Sequence, residues 1–247
     1  MLRKLVYFLS FSLISTAAFA FDINDMSKEE REAFNAAVRE YLLENPGVIF
    51  EAAEIYEQRQ AELQAAGDVA LIAQNADELF NDGRSFSEGN ANGDIKIVEF
   101  LDYRCGYCKR AFNEVKALLE ADRNIELIVK EFPILGEQST LASRFAIAVR
   151  NVAGNDAYKV AHDELMTMRG AVNRAALNRI ANRAGVNFAE IEIAMNDPKV
   201  NQEIAQNYAL AQKLKITGTP AFVFKTEMLR GFAPMDAMAQ IVARVRG

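Results

Sequence analysis

The sequence predicts an α/β protein in which a helical domain is inserted into a small sheet fold, with a helical arm in front. Three observations lead to this prediction. Apolar strand patterns flank a helix over residues 95–134, helical periodicity alone runs through residues 138–212, and strand patterns return over residues 221–232 before a last helix. The order β-α-β, helical block, β-β-α indicates that the helices interrupt one sheet.

The first residues, MLRKLVYFLSFSLISTAAFA, have the features of a secretory signal peptide. Arg3 and Lys4 give a positive start, residues 5–14 are apolar, and the Ala-Phe-Ala of residues 18–20 fits the pattern before a cleavage site. The alternative is an N-terminal membrane anchor, but the apolar run is shorter than the roughly 20 residues that span a bilayer. We therefore expect residues 1–20 to be removed and the protein to be exported to the periplasm.

The charge balance argues against one class of partner. The formal net charge is −6, and removal of Arg3 and Lys4 with the signal peptide makes it more negative still. Nucleic-acid binding requires clustered basic residues that neutralise phosphates. We therefore expect no nucleic-acid partner.

Residues 27–80 show helical periodicity with a break at Asn45-Pro46. Apolar side chains recur there at three- and four-residue steps, although Arg59 interrupts the apolar seam. Such a seam either packs on its own domain or joins copies of the chain. Because these helices precede the sheet fold, we expect residues 27–66 to form a self-association arm that makes the protein a dimer or a trimer.

The turn-rich segment NDGRSFSEGNANGD, residues 81–94, is the predicted domain boundary. It separates a helical arm over residues 21–80 from a domain over residues 81–247, in which residues 138–212 form the insertion. The strand that follows the boundary, Ile95–Leu101, is nearly continuous in apolar content and is therefore expected to be buried on both faces.

Cys105 and Cys108 are the only cysteines of the chain. Structural zinc requires four ligands, and the single histidine, His162, lies far away in the helical block, where we expect it on a helix surface. A two-coordinate Cu(I) site remains open, because soft thiolates suit that ion. A disulfide across so small a loop restrains little chain entropy. Redox chemistry is therefore the favoured interpretation.

The position of the pair gives this interpretation a mechanism. A cysteine between a strand and a helix lies over the helix N-terminus, where free N–H groups and the dipole favour the thiolate. Cys105 has this position, and Arg104, Lys109 and Arg110 add positive charge nearby. Cys108, one turn inside the helix, is the expected resolving thiol.

Two motifs carry a resemblance to a known family. The segment VEFLDYRCGYCK resembles the strand-to-helix motif, and TGTPAFVF the cis-proline loop, of the DsbA-like branch of periplasmic thioredoxin-fold thiol-disulfide oxidoreductases. The helices around EYLLENPGVIFEAAEIYEQRQAE are similar to the N-terminal helices of the ScsC-type proteins (suppressor of copper sensitivity) in that family. The resemblance implies a thioredoxin fold with an inserted helical domain, preceded by an N-terminal helical oligomerisation arm.

The resemblance also implies roles for individual residues. Glu99 matches a buried carboxylate beneath the disulfide, and a desolvated carboxylate has a raised pKa and can shuttle the proton of the resolving thiol. The alternative is that Glu99 lies on a solvated edge. Thr219 and Pro220 match the cis-proline loop that presents backbone to a substrate. With Gly106 and Tyr107, which separate the cysteines, they are the expected substrate-binding residues.

The predicted function is that of an exported thiol-disulfide oxidoreductase, with disulfide isomerase or reductase activity towards periplasmic proteins. We expect no metal and no cofactor apart from the redox-active Cys105–Cys108 disulfide. The expected partners are exported proteins that contain cysteines and a membrane redox partner. Two alternatives stay open: a monomeric dithiol oxidase, and a copper-binding protein that uses the same thiolates without turnover.

Overall fold

The structure is a computed structural model and describes residues 25–247. They divide into two compact units, one that ends at Arg59 and one that begins at Gln60. The predicted signal peptide, residues 1–20, lies outside the described residues. Within the described part of the chain, no helix has both the length and the apolar character needed to cross a membrane.

The first unit is helical. Helix α1, Lys28–Glu44, begins with a capping box: the Ser27 hydroxyl accepts the N–H of Glu30 at 3.2 Å, and the Glu30 carboxylate accepts the N–H of Ser27 at 2.8 Å. Helix α2, Gly47–Gln74, begins here and its last residues belong to the second unit. None of the α1 side chains is buried.

The second unit contains a five-stranded sheet in the order β1-β3-β2-β4-β5. The strands are β1 Phe86–Gly89, β2 Ile95–Leu101, β3 Ile125–Glu131, β4 Ala221–Phe224 and β5 Glu227–Arg230. Strands β2 and β3 are parallel, and the remaining neighbours are antiparallel. The sheet therefore has β2, which leads into the cysteines, at its centre.

Helices cover both faces of this sheet. Those of the second unit are α3 Ala76–Phe80, α4 Gly106–Ala121, α5 Glu137–Thr167 with a kink at Gly154, α6 Arg174–Arg183, α7 Phe188–Ala194, α8 Pro198–Lys213 and α9 Met235–Arg246. Helices α5 to α8 occupy the predicted insertion between β3 and β4. The predicted order of β-α-β unit, helical block and β-β-α unit is confirmed.

Alternation along β2 divides the core into two clusters. Ile97 and Leu101 pack on one face of the sheet with side chains of α4, α5 and α9, whereas Val98 and Phe100 pack on the other face. The second face is covered by α3, α8 and the last turns of α2. Strand β2 is buried on both faces, as its continuous apolar content predicted.

Strand β1 was not predicted. It lies inside the turn-rich segment 81–94 and pairs with β3, with Phe86 opposite Val129 and almost completely buried. Its sequence, FSEG, has too little strand character to be found without its partner strand. The tertiary pairing therefore decides its conformation.

The compact unit begins before the predicted boundary at residue 81. Ile72 of α2 and Leu79 of α3 are buried in the same cluster as Val98, and Asp68 of α2 forms a two-pronged ion pair with Arg230 of β5. The division of the chain at residues 80 and 81 stays a prediction about domains, whereas the contacts place Gln60 at the start of the second compact unit.

Candidate active site

The two cysteines lie where β2 passes into α4. Cys105 is the N-cap residue of α4, and Cys108 belongs to the first turn of the helix. Both are free thiols. Cys105 keeps 8% of its surface exposed, whereas Cys108 is fully buried. Cys105 thus keeps a small accessible surface, and Cys108 has none.

Asp102 fixes the turn that carries Cys105. Its carboxylate accepts the N–H of Arg104 at 2.7 Å, and it accepts the N–H groups of Ile134 and Leu135 at 2.8 and 3.0 Å. The carboxylate therefore joins the turn before the cysteines to the loop after β3. Hydrogen bonds from three amides to one carboxylate are charge-assisted and hold the turn firmly. This role of Asp102 was not predicted from the sequence.

The environment of Cys105 favours its thiolate. The hydrogen bond from the Cys108 thiol is the largest cause, and a hydrogen bond with the Thr219 side chain and the backbone N–H groups of Cys108 and Tyr107 add to it. Together they lower the pKa of Cys105 to about 5 against the opposing effect of burial. These amides are free N–H groups of the first turn of α4, which is where a thiolate is stabilised.

Thr219 lies next to the accessible sulfur. Its carbonyl oxygen is 3.1 Å from Cys105 Sγ, so the thiol donates a hydrogen bond there while it is protonated. A thiolate has no proton to donate. The contact with the carbonyl therefore favours the thiol, whereas a hydrogen bond with the Thr219 side chain lowers the pKa of Cys105, as the donors from Cys108 and Tyr107 do.

Cys108 has the opposite character. Burial raises the pKa of its thiol far above the ordinary value, and its hydrogen bond to Cys105 and the nearby charge of Glu99 raise it further. A thiol in this position stays protonated at neutral pH unless a base accepts its proton. The two sulfurs are therefore suited to different steps of a reaction.

Glu99 of β2 is buried with 3% of its surface exposed, so it does not lie on a solvated edge. Its Oε1 atom has no hydrogen-bond partner within the described residues. Burial, followed by the negative charge of Glu88, raises the pKa of Glu99 to about 8. The carboxyl group thus exchanges its proton near neutral pH and influences the pKa of Cys108.

The loop before β4 completes the site. The Thr219–Pro220 peptide is cis, and the Pro220 carbonyl accepts the N–H of Gly231 at 2.8 Å. Gly106 and Tyr107 are both exposed, with 58% of Tyr107 accessible. The structure brings the residues predicted from the sequence to one end of the sheet: Glu99, Cys105, Gly106, Tyr107, Cys108, Thr219 and Pro220.

Two of the nearby cations bind the helical insertion. Arg104 donates to the carbonyl of Gly170 at 2.6 Å. Lys109 donates to the carbonyls of Leu165 and Met168 at 3.2 and 2.6 Å, at the C-terminal end of α5. Burial, and then the charge of Arg104, lower the pKa of Lys109. These side chains tie the active-site segment to the insertion as well as adding charge.

A buried polar cluster joins the same segment to the insertion. The Glu131 carboxylate of β3 accepts hydrogen bonds from the hydroxyls of Tyr103, Ser143 and Tyr158 at 2.8, 2.7 and 2.6 Å. The Tyr103 hydroxyl also lies 3.0 Å from Nδ1 of His162. Tyr103 is two residues before Cys105, so this cluster holds the turn between β2 and α4 in position from the protein interior.

The prediction for His162 was wrong. It is 2% exposed and packs among aromatic rings, with its ring centroid 5.6 Å from that of Tyr103 and 5.6 Å from that of Phe112. Burial lowers the pKa of His162 to about 4. Asp163 and Glu164 follow it in α5, but the helix turns His162 towards the core.

Glu131 was missed although the sequence contained a usable signal. It is a carboxylate inside an apolar strand, as Glu99 is, and it is 1% exposed. Burial raises the pKa of Glu131 to about 7, and the hydrogen bonds from Tyr158, Ser143 and Tyr103 limit the increase. Glu99 was assigned through the family resemblance, and the apolar neighbours that supported its burial are present around Glu131 as well.

The described residues offer few ligands for a metal ion. Among residues 25–247, no three His, Cys, Asp or Glu side chains are grouped so that they could hold one. The two thiols remain as a pair of soft sulfur ligands, which is the donor set of a two-coordinate Cu(I) site.

Two protein-family models match the chain. A model described as a DSBA-like thioredoxin domain matches residues 96–243, and one described as the copper resistance protein ScsC N-terminal domain matches residues 30–62. The first match covers both cysteines, the helical insertion and the sheet apart from β1 and the first residue of β2, and the second covers most of α1 and the first half of α2.

Solved structures with the same fold include a thioredoxin-like oxidoreductase from Silicibacter pomeroyi, which is 42% identical, with 69% of this chain and 96% of that chain covered and a TM-score of 0.65. BcfH of Salmonella enterica Typhimurium is 26% identical, with 89% and 97% covered and a TM-score of 0.73. Proteus mirabilis ScsC in a transitional conformation is 26% identical, with 91% and 99% covered and a TM-score of 0.65.

Two curated relatives are much longer than this chain. They are Na⁺/H⁺ antiporters of Salinispora species, and the chain is 24% identical to each over 159 residues. The chain spans only 24% of their length. The similarity therefore concerns a part of those proteins.

Proposed function

Because the chain belongs to the family with a DSBA-like thioredoxin domain and has the N-terminal domain of the ScsC proteins, we propose that it is a periplasmic disulfide isomerase or reductase. The family chemistry is thiol-disulfide exchange. The observation that carries the proposal is the asymmetry of the two sulfurs: Cys105 is accessible with a pKa of about 5, and Cys108 is buried with a raised pKa.

In the proposed first step, the Cys105 thiolate attacks one sulfur of a substrate disulfide. A bond forms between Cys105 and that sulfur, the substrate disulfide breaks, and the second substrate sulfur leaves as a thiolate that takes a proton from water. The Thr219 carbonyl, released from the Cys105 thiol when this ionises, is available to a backbone N–H of the bound segment.

The mixed disulfide then has two outcomes. In isomerisation, another substrate thiolate attacks it and releases Cys105, with no net oxidation. In reduction, Cys108 attacks Cys105 and forms the intramolecular disulfide, so that two electrons pass to the substrate, which leaves as a dithiol. A membrane redox partner with a dithiol would then reduce the Cys105–Cys108 disulfide.

Glu99 is the proposed base of the second outcome. Cys108 must lose its proton before it attacks, and burial makes that loss unfavourable. The pKa of Glu99, about 8, leaves part of the protein with an ionised carboxylate at neutral pH. This carboxylate accepts the proton of Cys108, so that no hydroxide ion from water has to enter the buried site. The free Oε1 atom leaves the carboxylate a site for it.

The exchange mechanism is tested by replacing one cysteine at a time. Cys105→Ser should abolish exchange with a scrambled disulfide substrate, whereas Cys108→Ser should accumulate mixed disulfides between Cys105 and the substrate. Mass spectrometry of the trapped species identifies the attached residue. Attachment through Cys108 in the wild type would overturn the assignment of roles.

The isomerase mode rests on the N-terminal arm, residues 27–66. Large apolar side chains are exposed along it, among them Tyr41 at 56%, Leu43 at 64% and Phe50 at 72%. Exposed apolar surface of this extent is typical of protein–protein contacts. We propose that it joins copies of the chain and thereby places several Cys105 thiols around one substrate, which raises their effective concentration.

Charge substitutions test the arm without shortening the chain. Leu43→Glu with Phe50→Glu should convert a dimer or trimer into a monomer in sedimentation velocity, lose isomerase activity and gain dithiol oxidase activity. Ile193→Glu is the matched control, because it changes a 76% exposed residue of the second unit. It should leave the oligomeric state, the isomerase activity and the oxidase activity unchanged. A monomeric variant that isomerises as well as the wild type would mean that the arm has another purpose.

A copper-binding role is the second candidate, and the description of the N-terminal family as a copper resistance domain favours it. Such a protein would bind one Cu(I) between the two thiolates and show no turnover. The enzyme should instead restore a scrambled substrate catalytically in the presence of a chelator. Saturating binding of one copper ion per chain without turnover would replace the enzyme proposal by this one.

A further inference from the structure

A cluster of two aromatic rings and one cation lies beside the candidate active site. Cζ of Arg110 in α4 is 5.6 Å from the ring centroid of Tyr107 and 4.6 Å from that of Phe232. Tyr107 is one of the residues between the cysteines. Phe232 follows Gly231, whose N–H donates to the Pro220 carbonyl. The guanidinium therefore bridges the two segments that frame the accessible sulfur.

Arg110 is exposed and has no anionic partner in the part of the chain that the structure describes. The ion pairs and hydrogen bonds of residues 25–247 do not include its guanidinium. Glu114, one turn further along α4, accepts the N–H of Met235 at 2.8 Å. A guanidinium that lies over an aromatic ring can still donate its N–H groups to a carboxylate.

Two further cations lie beside the cysteines without a carboxylate partner among the described residues. Arg104 and Lys109 donate only to backbone carbonyls, so their charges are not neutralised by carboxylates. The two carboxylates of β2 and its turn do not compensate at the surface: Glu99 is buried, and Asp102 is buried and bonded to three amides. Arg104, Lys109 and Arg110 thus form a positive rim beside the cysteines. The chain as a whole has a net charge of −6.

We propose that Tyr107, Arg110 and Phe232 form a carboxylate-binding patch that selects substrate segments with Asp or Glu close to the reactive cysteine. The inference rests on the proposed function and names a substrate class for it. The rings give the bound segment apolar contact area, and Arg110 supplies the charge-assisted hydrogen bonds. Basic segments are disfavoured, because the rim repels them.

The test measures how fast the reduced full-length protein reduces symmetrical disulfides of synthetic peptides. The peptides are identical except that the residue beside the cysteine is Glu, Gln or Lys. Because exposed ion pairs contribute modestly, the Glu peptide should react about threefold to fivefold faster than the Gln peptide, and the Lys peptide more slowly than either. High salt should reduce the Glu-to-Gln ratio towards one.

Variants assign this preference to the patch. Arg110→Met should bring the Glu-to-Gln ratio close to one, and Arg110→Lys, which keeps the charge, should preserve part of it. The ratio is insensitive to a change in the reactivity of Cys105, since both peptides meet the same thiolate. Arg123→Met is the matched control: it removes an exposed arginine after the far end of α4 and should leave the ratio unchanged.

The outcomes separate the two proposals. Equal rates with the Glu and Gln peptides, or a preference that survives Arg110→Met, would overturn the patch while the exchange activity stands. A preference that Arg123→Met removes as strongly as Arg110→Met would reduce it to net charge and also overturn the patch. No reaction with any peptide would overturn the proposed function and the patch together.

Discussion

Glu99 and Glu131 are carboxylates in similar positions with different surroundings. Strands β2 and β3 are neighbours, with Glu99 opposite Val129 and Leu101 opposite Glu131, so both carboxylates point to the same face of the sheet. Each is almost completely buried. Glu131 accepts three hydroxyl hydrogen bonds, whereas Oε1 of Glu99 has no partner within the described residues.

The difference shows that two equally buried carboxylates can have different roles, because only one of them is held by hydrogen-bond donors. Burial raises both pKa values, to about 8 for Glu99 and about 7 for Glu131. The hydroxyl donors fix Glu131 in one arrangement and make it part of the scaffold beneath Tyr103. Glu99 lacks such donors and lies near Cys108, so it is the one that is free to exchange a proton.

The largest expected effect is the loss of stability on replacing Glu131. Glu131→Leu would leave the hydroxyls of Tyr103, Ser143 and Tyr158 buried without their acceptor, and each such loss costs about 1–3 kcal/mol. We expect the free energy of unfolding in urea to fall by at least about 4 kcal/mol at pH 7. Glu99→Leu should cost much less, because that oxygen has no donor to lose. Equal losses would contradict the comparison.

The next effect is kinetic and concerns Glu99. In Glu99→Gln the attack of Cys108 on the mixed disulfide should slow by about a hundredfold, which is typical of a lost general base. The first attack by Cys105 should keep its rate and serves as the internal control. Rapid mixing with a disulfide peptide separates the two steps.

In the wild type this second step should accelerate as the pH rises towards about 8, because Glu99 must be ionised to accept the proton. Glu99→Gln should lose this acceleration. If both steps of Glu99→Gln keep their wild-type rates from pH 6 to pH 8, Glu99 is a structural residue only.

Stability should depend on pH through the same carboxyl group. Its folded-state pKa is raised from 4.5 to about 8, so its stabilising contribution is complete below pH 4.5 and is lost as the pH rises through 8. This carboxyl group alone should account for a loss on the order of 3 kcal/mol between pH 5 and pH 8, against the opposing contribution of Cys105, whose lowered pKa makes the stability of the reduced protein rise over the same range. Glu99→Gln should flatten this slope in urea titrations, and an unchanged slope would contradict the burial of an unpartnered carboxyl.

The smallest expected effect concerns His162. His162→Phe removes one hydrogen bond to Tyr103 and should cost about 1 kcal/mol at pH 7. The folded-state pKa of His162 is lowered to about 4, so the wild type loses stability as the pH falls from 6.5 towards 4. The variant should lose less over this range. A loss of several kcal/mol at pH 7 would mean that His162 holds the cluster more strongly than Glu131 does.

Sequence patterns identified the parts of the site that depend on neighbours along the chain. Cys105 and Cys108 follow a strand and begin a helix, and Glu99 interrupts an apolar strand. The resemblance to a known family supplied Glu99 as the buried carboxylate, together with Thr219 and Pro220. In each case the chemistry could be inferred from a short segment.

The parts that were missed depend on partners far along the chain. Tyr103 meets Glu131 and His162 across 28 and 59 positions, and no local pattern shows that these side chains share one buried cluster. Strand β1 likewise forms because β3 offers a free edge. The support beneath the cysteines therefore becomes visible only in the folded chain.

The thiolate titration of Cys105 tests the central claim most directly. Ultraviolet absorbance of the reduced protein should show one thiolate with a midpoint near pH 5, which disappears in Cys105→Ser. The midpoint should rise in Cys108→Ala, because that change removes the strongest hydrogen-bond donor to the sulfur. A first ionisation near the free-cysteine value of about 8.5, or a signal that survives Cys105→Ser, would contradict the assignment of Cys105 as the attacking thiolate.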